Sequence, residues 1–306
     1  MTTIDDPRLA RAALSWLVEP GNRWVADAII NPGPVPTANM CLQDTEGHSP
    51  LRPQVQAMHP RERLDRIRRL QDTAGEHNIR MVCPYDRPWP GWIDRLTDLP
   101  ETASLGRAAP VCLWVAGTRP LSEVLATAIT VTGARAATTY GTTVASELCH
   151  DLALTGRTIL TGCGFGIDTA ALRATLATGG GVPVAVTAGG PDRPSPAANA
   201  RLLATVAERG LVLSAYPPGQ PPFRQRFITT SVLLAALGRA VVVVEAGLRS
   251  TTLTSLGVSK ALNQPALVVP GPVTSAMSAG CHATLRSHPG YRLVTSAADI
   301  LGDLTG

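Results

Sequence analysis

Lysine is nearly missing from this chain: it occurs once, at Lys260, and every other fixed positive charge is an arginine. Any phosphate contact is therefore expected to be a planar guanidinium fork rather than a mobile ammonium. Aromatic residues make up 4% of the chain, which argues against a surface that stacks base after base and favours contacts to a backbone. No apolar run approaches the ~20 residues of a membrane-spanning helix. The start, Met1-Thr2-Thr3-Ile4-Asp5-Asp6-Pro7, has no basic segment followed by an apolar stretch, so a cytoplasmic chain with no membrane partner is expected. Cys41, Cys83, Cys112, Cys149, Cys163 and Cys281 are scattered, and no two stand at C-x-x-C spacing. Buried free thiols are expected, with no metal site and no disulfide. His48, His59, His77, His150, His282 and His288 fall in none of the glycine turns. The patterns G-x-S-x-G, H-E-x-x-H and G-x-x-x-x-G-K-[ST] are absent, which removes the common hydrolase, metalloprotease and P-loop chemistries. No cofactor is expected.

What is present is a chain of 306 residues with 44% hydrophobic and 16% charged residues, enough for a sizeable core. The net charge of +4 permits a nucleic-acid partner without requiring one. Three parts are expected: a small helical domain and loop over 1–76, a connector over 77–109 and a Rossmann-like domain over 110–306. In the first part a helix is read from Pro7 to Val18, with Asp6 as its N-cap, and a second from Trp24 to Ile30. Residues 31–57 are rich in Pro, Asn, Thr and Ser and read as a long loop. A third helix runs from Pro60 to Glu76, with an arginine-rich face read mainly as solvated surface. Ile79 to Cys83 reads as a short strand, and the proline-rich stretch from Pro84 to Trp92 as a structured connector.

From residue 110 onward apolar runs alternate with helical patterns. Strands are expected at 111–116, 128–133, 158–161, 182–187, 211–215, 240–245, 266–269 and 291–294. Helices are expected at 141–155, 168–178, 197–209, 228–238, 252–263 and 297–304. Runs such as Ala240 to Val244 are apolar on both faces, the mark of a buried parallel strand. The alternation gives an α/β class, a doubly wound and mostly parallel sheet. Ligands of such sheets bind beyond the carboxyl ends of the strands. Those ends carry Gly133-Ala134-Arg135, then Gly162, Gly164 and Gly166 around Cys163 and Phe165, and four further small-residue turns at 187–192, 214–219, 245–250 and 270–272. Backbone amides at such turns favour anions. Asp168 is expected to cap the helix after the glycine loop, and Glu245 to make a strand-end hydrogen bond. All six turns are expected at one edge of the sheet.

These residues resemble the DNA-processing protein A (DprA/Smf) family. Gly133-Ala134-Arg135 with Tyr140-Gly141 matches its G-[SA]-R…Y-G turn, and Thr161 to Asp168 matches S-G-x-A-x-G-I-D. Ser214 to Gly219 is similar to S-E-x-P-P-G, Val243 to Ala246 to V-V-E-A, and Val269-Pro270-Gly271 to V-P-G. The stretch from Pro272 to His282 is similar to the family's actinobacterial branch. The resemblance implies an extended Rossmann-like domain that binds single-stranded DNA, protects it and loads the RecA recombinase during recombination and transformation. It also implies a homodimer, no enzymatic activity, and a helical appendage at the N-terminus. The winged-helix domain of some members is not expected in this sequence.

Departures from the family pattern bear on the site. The family's F-[PL]-x-R-N-R segment reads Phe227-Ile228-Thr229-Thr230-Ser231-Val232 here, so both arginines are gone. Leu172 stands in place of a histidine, Ala215 in place of the glutamate of S-E-x-P, and Ser250 to Leu253 replaces S-G-[AS]-L. The residues expected to contact DNA are Gly133, Arg135, Gly162, Gly164, Phe165, Gly166, Arg224, Arg226 and Phe227, with the two arginines near Phe227 on the rim. Two other readings stay open. One is a degenerate member that acts through protein contacts with weak or no DNA binding. The other is a nucleotide-cleaving enzyme of the lysine-decarboxylase-like phosphoribohydrolase type, which Gly189-Gly190-Pro191 matches only faintly and whose glutamate is absent.

Overall fold

The apolar runs of the second half become the parallel strands of a single nine-stranded sheet in a computed structural model, which describes residues 3–305. The strands are β1 (Ile79–Val82), β2 (Leu113–Ala116), β3 (Ala128–Thr132), β4 (Thr158–Thr161), β5 (Pro183–Val186), β6 (Leu211–Ser214), β7 (Val241–Val243), β8 (Ala266–Val268) and β9 (Tyr291–Leu293). Their order across the sheet is β1-β2-β6-β5-β4-β3-β7-β8-β9. From β6 to β9 all neighbours are parallel, while β2 joins β6, and β1 joins β2, in antiparallel register. The chain winds from β3 outward to β6, then returns to lay β7 against the other side of β3. That reversal leaves a crevice above the carboxyl ends of β3 and β7, where open α/β sheets bind ligands.

Side chains alternate across each strand. Val241 and Val243 face one layer, built with the helices Arg226–Leu237 and Leu253–Ala261. Val242 and Val244 face the other, built with the helices Thr139–Leu154, Ile167–Ala177 and Ala297–Thr305. Both faces are covered, which is why these runs lack polar residues. The β9 edge is barely covered. Arg292 and Leu293 are exposed there, and the Lys260 ammonium lies 5.3 Å from the centre of the Tyr291 ring.

The N-terminal helices form their own apolar cluster around Leu14, Leu17, Leu42 and Ile67. That cluster also takes in Ile79, Val111, Cys112 and Trp114 from the β1–β2 side of the sheet. The helix Pro7–Leu17 starts as expected, with the Asp6 carboxylate accepting the N–H groups of Arg8 and Leu9. The expected loop over 31–57 is corrected: it contains the helix Pro34–Gln43 and a single turn at Pro53–Gln56. Pro34 and Pro36 fall in the first turn of that helix, where their missing N–H groups would have no intrahelical partner anyway. All six cysteines are buried free thiols. Among the described residues no helix is long and apolar enough to cross a membrane.

Candidate functional site

A cavity of about 680 Å3 opens above the carboxyl ends of β3, β4, β5 and β7. Its floor is built by close backbone approach. A side-chain carbon on Gly133 would lie 2.6 Å from Ile167, and one on Gly162 would lie 2.5 Å from the Asp168 carboxylate. Gly166 has φ +69°, and a side-chain carbon there would come within 2.3 Å of the Ala134 carbonyl. These glycines let the turns after β3 and β4 touch.

Asp168 does not cap the helix Ile167–Ala177, contrary to expectation. Gly166 holds the N-cap position, and Asp168, the second residue of the helix, reaches back under the loop. Its Oδ1 accepts from the hydroxyls of Thr132 at 2.9 Å and Thr161 at 3.1 Å, and its Oδ2 from the Gly164 N–H at 3.1 Å. Burial pushes its pKa above the ordinary carboxylate value, and those donors together with Arg135 only partly oppose the shift. Glu245 makes the expected hydrogen bonds at its strand end. Its carboxylate accepts from the N–H and hydroxyl of Thr138 at 2.9 and 2.6 Å, and a side chain on Gly141 would collide with it.

The mouth of the cavity is positive. Arg135, Arg224 and Arg249 line it, and all are exposed. None of them forms an ion pair with a carboxylate among the described residues. The Arg135 guanidinium lies 4.2 Å from the centre of the Phe227 ring, a cation–π contact that fixes its plane. The helix Arg226–Leu237 closes one side with Thr230 and Ser231.

Of the residues expected from the sequence, Gly133, Arg135, Gly162, Gly164, Arg224 and Phe227 line this cavity. Phe165 is 49% exposed outside the lining, and Gly166 supports the floor from behind. Arg226 is corrected: it is not on the rim. Its side chain is 2% exposed and pairs with Glu19 at 2.6 Å, and it packs between the rings of Tyr216 and Phe223. All six turns leave the carboxyl edge of the parallel strands, as expected, but two of them lie apart from the cavity. The turn at 214–219 folds onto 187–192 through Ser214 and Asp192, and the turn at 270–272 packs on Tyr140 and His282. Neither reaches the cavity. Arg249 was missed as a site residue, although its place just after a strand end was visible. The hydroxyls of Thr230 and Ser231 in the lining were visible only as a lost arginine and a lost asparagine.

The profile of the family described as DNA recombination-mediator protein A matches residues 80–305. The chain is 38% identical to the putative DNA processing protein DprA of Mycobacterium tuberculosis strain H37Rv, over 99% of this chain and 78% of that protein. It is 33% identical to the DNA processing protein DprA of Streptococcus pneumoniae strain R6, over 64% of this chain and 67% of that protein. Among solved structures, DNA processing protein A from Streptococcus pneumoniae superposes with a TM-score of 0.71 at 24% identity, covering 98% of each chain. Helicobacter pylori DNA processing protein A, solved for its single-stranded DNA binding mode, gives a TM-score of 0.58 at 22% identity. That match covers 68% of this chain and 93% of the other.

Proposed function

Because the chain belongs to the DNA recombination-mediator protein A family, we propose that it binds single-stranded DNA across the mouth of the β3–β7 cavity. It acts there as a binding protein rather than an enzyme, holding the strand for delivery to the RecA recombinase, and it works as a homodimer in the cytoplasm. The observation that carries this reading is the set of three guanidinium groups at one mouth, none of them in an ion pair with a carboxylate among the described residues. Unpaired arginines beside glycine-turn amides favour a row of phosphates. Arg135, Arg224 and Arg249 contact the backbone, the loops at Gly133 and Gly162 to Gly164 approach it closely, and Phe227 holds Arg135 in place.

Fluorescence anisotropy with a labelled oligo-dT strand tests the reading. Three phosphate contacts predict a slope of about −2 in log K against log salt, and Arg135→Ala reduces its magnitude by about 0.7. Arg226→Ala leaves that slope unchanged, because this arginine faces Glu19 and not the mouth. Absence of strand binding at low salt overturns the reading. The loss of arginine at Thr230 and Val232 favours a second one, action through protein contacts alone. A pull-down that retains RecA under conditions where no strand binds supports that alternative.

A further inference from the structure

One face of the helix Arg226–Leu237 forms a wall of the cavity: Phe227, Thr230, Ser231 and Leu234 follow one another at helical spacing and all line it. Arg224 lines the mouth two residues before the helix, and Phe227 fixes the plane of Arg135. Two of the three mouth arginines therefore take their places from the start of this helix. That start lacks the usual local anchor. Gln225 stands at the N-cap with helical backbone angles, and among the described residues its side chain makes no capping hydrogen bond. The stretch ahead of it, Pro217 to Pro222, holds four prolines and so offers few N–H groups of its own.

The anchor comes from the helical part instead. Arg226 grips the Glu19 carboxylate as a fork, with Nη2 at 2.6 Å from one oxygen and Nε at 3.2 Å from the other, and its Nη1 donates to the Pro221 carbonyl at 2.7 Å. Glu19 follows Val18, the C-cap of the helix Pro7–Leu17. Arg52, from the same part, donates to the carbonyls of Ser15 and Val18 at 2.8 and 3.1 Å. It also donates to Gln220 Oε1 at 2.6 Å, an oxygen that Arg226 reaches at 3.3 Å. Two arms of the helical part thus close on the first residue of the helix. Both guanidinium groups are nearly fully buried, while Glu19 is partly in water. Burying such a pair gains little stability over apolar packing, whereas a fork accepts one arrangement only.

We propose that Glu19 is a positioning residue for the mouth: through Arg226 it sets where the helix Arg226–Leu237 begins, and with it where Arg224 and Phe227 stand. The N-terminal helical part is thereby a working component of the site rather than an appendage. Neither Glu19 nor Arg226 lines the cavity. Their contribution is preorganisation, which spares a bound strand the cost of ordering the groups that hold it. The effect on strand affinity rests on the DNA-binding reading; the anchoring of the helix start stands without it.

The test compares the full chain with its Glu19→Gln variant by anisotropy of labelled oligo-dT over a range of salt, at a temperature where circular dichroism shows both folded. The variant is expected to bind about tenfold more weakly at every salt concentration. The slope of log K against log salt stays the same, because the phosphate contacts are misplaced but not removed. Hydrogen exchange of the free proteins is the second readout. The amides of Arg226, Phe227 and Ile228, bonded to the carbonyls of Phe223, Arg224 and Gln225, are expected to exchange faster in the variant, while those of the helix Ala200–Arg209 keep wild-type rates. A uniform rise across the chain marks a loss of global stability only and overturns the proposal. Should Glu19→Gln not fold, Arg226→Lys, which keeps the charge and lacks the fork, is expected to bind about threefold more weakly with the same local exchange. Wild-type affinity or an altered slope in a folded variant overturns the proposal and leaves the DNA-binding reading standing. If the wild-type chain binds no strand, the DNA-binding reading fails, and exchange at 226–228 alone decides: a local rise upholds the anchor, and unchanged rates overturn it.

Discussion

Arg226 shows how far a side chain can lie from the role its neighbours suggest. It stands two residues from Arg224, which lines the cavity mouth, yet its guanidinium turns to Glu19 on the far side of the helix start. Arg52 meets the same carboxylate at 3.1 Å, so one glutamate balances two buried cations. Burial, helped by the neighbouring charge of Arg226, pulls the Arg52 pKa down to about 10 despite Glu19. Removing the shared carboxylate leaves both cations uncompensated. Glu19→Gln is expected to lower stability by about 3 kcal/mol in urea unfolding, the low end for breaking a buried pair because Glu19 is partly in water; a loss under about 1 kcal/mol would contradict this account. No sequence pattern reveals such a pair, since its members are 207 positions apart. The Asp44 carboxylate behaves oppositely to Asp168. Burial opposes its ionisation, but N–H bonds from Ser49, Gly47, His48 and Glu46 outweigh this and hold its pKa well below the ordinary value. The stability it contributes is therefore present above about pH 4 and lost as the pH falls through the lower, folded-state value. Asp44→Asn is expected to cost about 1 kcal/mol at neutral pH and to narrow the gap between unfolding curves at neutral and acid pH. An unchanged gap would show that the loop bonds do not depend on the charge.

At the level of elements, the inner strands β3 to β8 were legible because each is a short, mostly apolar run buried on both faces, a pattern that a covered parallel sheet accommodates. The helices that went unread have local causes. Pro34–Gln43 begins with prolines that resemble loop punctuation, and Ala279–Ser287 is built of small and polar residues with little periodicity. The glycine loop after β4 was legible as a place of close approach, but which helix position its aspartate would take was not. That depended on Gly166 adopting a left-handed backbone, which frees Asp168 to reach under the loop. Gly166→Ala places a methyl group 2.3 Å from the Ala134 carbonyl at a φ that L residues rarely adopt. A cost of more than about 2 kcal/mol is expected. Because that loop forms the floor, strand affinity should fall with stability in thermal melts and anisotropy alike. A variant with unaltered melting would show that the turns after β3 and β4 can separate without penalty.

For the whole molecule, β2 is the strand through which its parts are joined. It contributes Trp114 to the N-terminal helical cluster and Leu113 and Val115 to the sheet core. All five tryptophans, Trp16, Trp24, Trp89, Trp92 and Trp114, lie in the first 114 residues. Trp16 and Trp114 lie in the N-terminal helical cluster whereas Trp89 and Trp92 pack in the sheet core, so their fluorescence reports both, while far-ultraviolet circular dichroism reports the entire chain. With one strand buried in both clusters, the two signals are expected to change at the same urea concentration. An earlier loss of part of the fluorescence, that of Trp16 and Trp114, would mean that the helical part unfolds while the parallel sheet persists. The sheet itself was foreseen from the alternation of apolar runs with helical patterns, whereas the antiparallel addition of β1 and β2 was not, because nothing in a short apolar run records its direction. The solitary Lys260, resting on Tyr291 beside the last strand, has a practical corollary. An amine-directed dye has that one side chain to attack, apart from the chain's own start. Labelling should tag the molecule on its outer flank and leave every arginine at the opening chemically intact.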